Sequence, residues 1–383
     1  MTNYLIRRII QMTLVVLISS MGIYFLLYLA PGGPLDGLNV TADRRARFSE
    51  EDIQRLSEYL GLHRGPGWGF VAWLAGEDWM ENVPQALWPK NKQGEPVSLQ
   101  RPICREDAAK CSKGVIRLDF GVSWQVARGS PVITVMQGRL QNTLILMTSA
   151  TVFSLLIAIP IGIYSAVKQY SRLDYTFTTF TFFGTAMPVF WFGLLLIIAV
   201  GGSQSPWFRL FNLPYLPTGN VMLVRPPQPG SLEALLNIKA GTIADILVHA
   251  LLPTIVLSLL YMAGWSRFMR SSMLEVLRQD YVRTARAKGL FERAVIMKHA
   301  LRNSLIPLIT IVVFQIPGIF GGAILTETVF NWKGMGLLYF GALAVNDYPV
   351  AMALLFITSI LVVIATLVGD VLYTVVDPRI RLG

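Results

Sequence analysis

Residues 279–307 read QDYVRTARAKGLFERAVIMKHALRNSLIP, and they connect two apolar runs, Ile243–Trp265 and Leu305–Thr326. The stretch is too polar to cross a bilayer and too regularly patterned to be a random linker. Ala285, Ala287, Leu290, Ala294, Val295 and Met297 are interleaved with Arg283, Arg286, Lys288, Arg293, Lys298 and Arg302. Gly289 breaks the helical pattern and permits a sharp bend between two helices. Two readings fit such a helix–Gly–helix elbow. One is a small knob with a basic rim that docks into a groove on a soluble partner. The other is an amphipathic surface helix held by anionic lipid.

Working outward, six runs have the roughly 20 apolar residues that a spanning helix needs. They are Ile9–Ala30, Leu144–Val167, Phe177–Val200, Ile243–Trp265, Leu305–Thr326 and Val350–Val371. The composition agrees. Of 383 residues, 53% are hydrophobic and 15% charged, against about 25% charged in soluble domains. That excludes a cytosolic enzyme, a disordered regulator and a fibrous protein. The net charge of +10 is read as basic cytoplasmic loops rather than nucleic-acid binding. Residues 266–304 hold nine Lys or Arg against three acids, and Arg7, Arg8, Lys168, Arg172, Arg379 and Arg381 fall on the same side if there are six spans. That side is the cytoplasm, with both termini. The first run is read as a retained helix, too long for a cleaved signal core.

Residues 31–138 balance 13 basic with 13 acidic residues and are long enough for an extracytoplasmic cap. One helix is legible there, with Ser49 as N-cap, Gly61 as C-cap and Ile53, Leu56 and Leu60 on one face. Cys104 and Cys111 lie in the same segment, where an oxidising environment favours a disulfide between them; two isolated free thiols are the alternative. No metal site is expected, because no further cysteine exists and the histidines lack ligand spacing. Residues 201–242 are rich in Pro and Gly and read as irregular, with a short helix near Ser231–Asn237. The sequence has no phosphate loop, no dinucleotide fingerprint, no zinc-protease motif and no nucleophile elbow.

The 279–307 stretch resembles the coupling loop of ABC-transporter permeases, in the form found in the dipeptide/oligopeptide/nickel importer family. DYVRTARAKG, HALRN and Pro307 carry the likeness. LIRR, APGGP (Ala30–Pro34), LGL (Leu60–Leu62), DFGVSW (Asp119–Trp124), LQNT (Leu140–Thr143), AMPVFW (Ala186–Trp191), ETVF (Glu327–Phe330), GMGLL (Gly334–Leu338), DYPV (Asp347–Val350) and VDPRIR (Val376–Arg381) extend it in order along nearly the whole chain. Residues 75–116 look like an insertion. The general Glu-Ala-Ala is here Arg283-Thr284-Ala285, and Lys333 stands where the family usually has Pro.

The resemblance implies an all-α, six-span membrane protein of the type I importer permease class. Its parts are 1–30 (N-terminus and first span), a 31–138 cap and a 139–383 core with a 266–304 coupling loop. Its coupling residues are Tyr281, Arg283, Thr284, Ala285, Arg286, Ala287, Lys288, Gly289, Leu290, Glu292, His299 and Arg302. The implied partners are a second permease, two ATPase subunits that hold ATP and Mg, an extracytoplasmic binding protein and the bilayer of a bacterial or archaeal cell membrane. Peptides are the expected substrate, with oligosaccharide or nickel as alternatives. An ion-coupled carrier would want midspan acids, and the six spans show none that is clear. Pathway candidates are Pro188, Trp191, His249, Phe314, Gly318, Gly322 and Glu327. His249 stands out as polar and intramembrane, although a hydrogen bond to a neighbouring helix accounts for it equally. Gly318-x-x-x-Gly322 would let helices approach closely.

Overall fold

The structure is a computed structural model that describes residues 2–29, 50–90, 94–321 and 323–376. The expected N-cap Ser49, the stretch 30–34, Gly322 and the basic Arg379 and Arg381 lie outside the described residues. Among the described residues there is no strand, only isolated bridges such as Val122 with Pro131. The longer helices are α1 (Thr2–Leu29), α2 (Glu50–Leu60), α3 (Gly65–Ala75), α4 (Val132–Val167), α5 (Arg172–Ala186), α6 (Val189–Val200), α7 (Ile243–Leu277), α8 (Asp280–Ala287), α9 (Leu301–Gly321), α10 (Ile324–Val329), α11 (Met335–Ala344) and α12 (Tyr348–Val376), and the described parts of 76–131 and 201–242 are mostly irregular with short helical turns. Five helices are long and apolar enough to cross a membrane, and the α5–α6 pair makes a sixth candidate span.

Four of the expected spans have clearly different limits, and the second begins at Val132 rather than Leu144. The run Phe177–Val200 is not one straight helix, because α5 and α6 meet at 107°. Pro188 lacks an N–H and pushes Met187 into an extended conformation (φ −82°, ψ 129°). The fourth span does not stop at Trp265; α7 continues to Leu277. Its last turns bury Met269 and Met273 against Leu308 of α9, and tertiary packing carries the helix past the apolar run. Nor does the fifth reach Thr326, which sits in the separate α10 after α9 ends at Gly321. Trp265 is buried in the same cluster, its ring stacked 5.4 Å from Tyr261.

Packing divides the chain into two units. One is built on residues 139–337, and the other joins 2–138 to 338–363. One division between the units falls after residue 138, and 338–363 group with 2–138 rather than with 139–337. Within that unit the reason is visible. Asp347, fully buried before α12, accepts hydrogen bonds from the amides of Trp124 (3.1 Å), Gln125 (2.9 Å) and Val126 (2.8 Å) and from Ser123 Oγ. DFGVSW and DYPV are therefore one structural device, separated by more than 200 residues. Phe356 of α12 adds edge contacts to Trp73 (5.6 Å) and a tilted contact to Phe120 (6.5 Å).

A second carboxylate organises the 60–120 segment. Glu77 receives Arg101 Nη2 (2.7 Å) and Nε (2.8 Å), the amide of Ser112 (3.1 Å) and Arg64. Burial opposes the Glu77 charge, but the two guanidiniums and the amide outweigh it and hold the carboxyl below its usual range. Cys104 and Cys111 are joined by a disulfide close by in sequence.

Replacing Asp347 by Ala should leave three adjacent amides unpaired and destabilise this unit by about 3 kcal/mol, read as a lowered Tm in detergent. Glu77 gives a pH signature. Its folded pKa is below the unfolded value of about 4.3, so its stabilisation is complete above that pH and lost as pH falls through the folded value. Tryptophan fluorescence should show this acid-side loss, and Glu77→Gln should abolish it while costing about 3 kcal/mol at neutral pH.

Candidate functional site

The 266–304 region is mostly helical. Its start belongs to α7, α8 carries DYVRTARA, and after the Gly289 bend a helix begins at Glu292, passes through a π turn at Val295–Ala300 and continues as α9. Gly289 has φ +75°, and a Cβ there would meet nothing within 4 Å. The position needs glycine for its dihedral angle, not for space.

The apolar face of α8 turns inward. Val282, Ala285 and Val295 are buried together, with Val276 and Leu277 of α7 against them. Outside, Arg286 grips Glu292 through Nη2 (2.7 Å) and Nε (3.1 Å), closing the elbow across the bend. Asn303 Nδ2 donates to the Tyr281 hydroxyl (2.8 Å) and tethers α8 to α9. Thr284 Oγ1 returns to the Asp280 carbonyl (2.9 Å), and Arg283 lies 3.7 Å from the Asp280 carboxylate. Ala287, Lys288 and Arg302 are exposed and His299 is half-buried in the π turn. Ala285 belongs to the core of the elbow, not to its surface.

At the apex stand Leu290 and Phe291, 43% and 87% exposed. Phe291 is the residue that the sequence reading passed over. Its signal was an aromatic side chain directly after Gly-Leu in a basic stretch.

The pathway candidates do not gather into one site. Pro188 and Trp191 border an open apolar recess of about 400 Å³ at the α5–α6 bend, with Phe183, Met187 and Phe190. Phe314 and Gly318 are exposed on α9, and among the described residues a Cβ on Gly318 would meet only Gln315 of the same helix. His249 is buried near the start of α7. Its Nδ1 lies 3.0 Å from both the carbonyl and Oδ1 of Asp245, in its own helix rather than a neighbouring one. Asp245 in turn accepts from the amides of Leu223 (3.1 Å) and Gly241 (2.8 Å).

Glu327 is fully buried and holds a turn. Its carboxylate accepts from the amides of Leu337 (2.7 Å) and Ala323 (3.3 Å) and from Thr143 Oγ1 (3.3 Å). Thr143 Oγ1 accepts from the Met335 amide (2.7 Å), Asn142 Nδ2 donates to the Lys333 carbonyl (2.8 Å), and Trp332 Nε1 donates to the Asn142 carbonyl (3.0 Å). LQNT, ETVF and GMGLL thus close on one another. Only the carbonyl of Lys333 takes part and its side chain is exposed, so the turn does not depend on a proline there. A Cβ on Gly334 would come within 2.5 Å of Glu327 Oε1 and Thr143 Oγ1.

The two glycines should therefore respond differently. Gly289→Ala should cost only backbone strain, about 1–2 kcal/mol, with the elbow intact. Gly334→Ala should break the Glu327–Thr143 contact and cost about 3 kcal/mol or more. Thermal unfolding of both variants in detergent reads the difference.

Comparison with known proteins agrees in extent with this architecture. Residues 158–382 match the family described as "Binding-protein-dependent transport system inner membrane component". The chain is 36% identical over 381 residues to the oligopeptide transport system permease protein AppB of Bacillus subtilis (strain 168), covering 100% of both. It is 38% identical over 273 residues to the dipeptide transport system permease protein DppB of Escherichia coli (strain K12), covering 70% of this chain and 78% of that one. A putative peptide permease protein of Brucella suis biovar 1 (strain 1330) is 32% identical over 381 residues, covering 100% and 99%. A chain of the MetNI methionine ABC transporter in inward-facing conformations covers 64% of this one with a TM-score of 0.47 and 13% identity. With a matched family model over more than half its length and relatives aligned end to end, this chain belongs to the family of inner membrane components of binding-protein-dependent transport systems.

Proposed function

We propose that the chain is one of two related permeases, the first of the pair, in an ATP-driven importer of oligopeptides or dipeptides. It forms the translocation pathway with the second permease, receives substrate from an extracytoplasmic binding protein and hydrolyses no ATP itself. ATP and Mg belong to two separate ATPase subunits. The names of the relatives, oligopeptide and dipeptide permeases, support peptide over oligosaccharide or nickel. Both termini and the elbow face the cytoplasm on this reading, which the basic residues of 266–304 support. Residues 50–138 then lie outside, where a Cys104–Cys111 disulfide is chemically favoured.

The observation that carries the coupling role is the inward turn of α8. A helix lying on lipid needs a continuous apolar face for the bilayer. In α8 that face, Val282 and Ala285, is already buried against Val276, Leu277 and Val295. What remains outside is a compact apolar knob, Leu290 and Phe291, beside the Arg286–Glu292 pair. A buried aromatic anchor with a polar rim suits a protein groove. ATP-driven closure of the ATPases would then move α7 and α9 through a rigid elbow.

Phe291→Asp should lower co-purification of the ATPases about tenfold or more, with unchanged expression and Tm. ATPase capture at the wild-type level would remove the docking claim. Proteoliposomes with this chain alone should take up no peptide under an imposed ion gradient, and the full complex with ATP should restore uptake.

A further inference from the structure

The segment between α6 and α7 encloses a cavity of about 390 Å³ that no step above uses. Tyr215, Arg225, Glu233 and His249 are among its walls. Its volume is in the range of small-molecule sites. Most of its polar groups are already engaged by the chain. Ser231 Oγ accepts from the Ala234 amide (3.1 Å), Tyr215 hydroxyl donates to the Pro229 carbonyl (3.4 Å), and Asn220 Oδ1 accepts from Asn331 Nδ2 (2.7 Å).

Two groups are not. Glu233 is 4% exposed, and its Oε2 is buried without a hydrogen-bond partner. Elsewhere in the chain buried carboxylates gather amides or guanidiniums, as at Asp347, Glu77 and Glu327. Burial first, and then the Glu233 charge, push the Tyr215 hydroxyl up, so the carboxylate is felt by a second residue of the cavity lining. Arg225 is exposed on the same cavity, and its side chain makes no hydrogen bond or ion pair among the described residues. The cavity therefore carries an acid at its buried floor and a cation at its exposed rim. His249 also lines the cavity, with its Nδ1 held against Asp245. Among the described residues no three His, Cys, Asp or Glu side chains gather to hold a metal ion. The donor set instead complements an ammonium group, which satisfies an unpaired carboxylate by charge-assisted hydrogen bonds.

We propose that this cavity is a binding site for a short zwitterionic peptide, with Glu233 receiving the α-ammonium and Arg225 the carboxylate. This rests on the reading of the protein as a peptide permease and adds a recognition site on the permease itself. A permease with such a site selects for free peptide termini independently of the binding protein.

The test uses the purified complex of permeases and ATPases, without the binding protein, titrated calorimetrically with trialanine, N-acetyl-trialanine and trialanine amide. Trialanine should bind, and acetylation should weaken binding about tenfold or more. Glu233→Gln should weaken trialanine to a similar degree while leaving Tm unchanged or raised, because an unpaired buried charge has been removed. Arg225→Gln, at an exposed position, should weaken trialanine but not the amide. Equal binding of acetylated and free peptide, wild-type affinity in Glu233→Gln, or a lowered Tm in that variant would each overturn the proposal. In parallel, the complex with its binding protein is assayed for ATP-dependent peptide uptake in proteoliposomes. Uptake without any binding by the isolated complex overturns this site alone. Absence of any peptide uptake overturns the substrate reading, and the site with it.

Discussion

Asp347 accepts hydrogen bonds from the amides of three successive residues, Trp124 to Val126, and fixes a loop to the start of α12. Similar arrangements recur at three other breaks between helices among the described residues. Glu327 holds the turn before α11, Asp245 the entry to α7, and Glu77 the folded segment after α3. An irregular backbone exposes N–H groups that a helix would have paired. Where water is scarce, each unpaired group costs about 1–3 kcal/mol. A carboxylate accepts several at once and prefers them to be close together. The helices can pack by apolar contact, but the turns that set their order depend on these acids.

That pattern gives the two functional proposals a common physical basis. The elbow keeps its polar groups paired, through Arg286 with Glu292 and Asn303 with Tyr281. At its apex it exposes an apolar pair, Leu290 and Phe291, among exposed cations such as Lys288 and Arg302. The cavity at Glu233 does the reverse, burying a carboxylate oxygen that has no partner. One site lacks a hydrophobic cover and the other lacks a cation. The first is matched by a protein groove and the second by a charged small molecule.

Much of this was legible in advance, and the limits of legibility have physical causes. The apolar runs located the helices, but their ends were set by packing. Met269 and Met273 extend α7 past Trp265 because α9 covers them. Pro188 stood among the pathway candidates, and the 107° angle between α5 and α6 appears only in the folded chain. The basic elbow and its Gly289 bend were readable from the pattern 279–307. Ala285, read as a residue of the coupling loop, is buried within the elbow, and Phe291, which the pattern did not single out, is the most exposed large hydrophobic of the described elbow. Helical periodicity identifies the two faces of α8 without saying which one meets α7.

The sequence by itself determined that the chain is a helical membrane protein, where its polar elbow lies, and that it holds no nucleotide-phosphate loop. These are local properties, set by composition, spacing and charge within a few tens of residues. Only the tertiary structure decided what the motifs do together. DFGVSW and DYPV were separate words until Asp347 joined them, and so were LQNT, ETVF and GMGLL until Glu327 and Thr143 closed on each other. A buried carboxylate chooses its donors by position in space, and more than 180 residues of chain separate several of these partners. No local pattern encodes that choice. It is fixed when the helices pack and the amides of each turn come within reach of one acid.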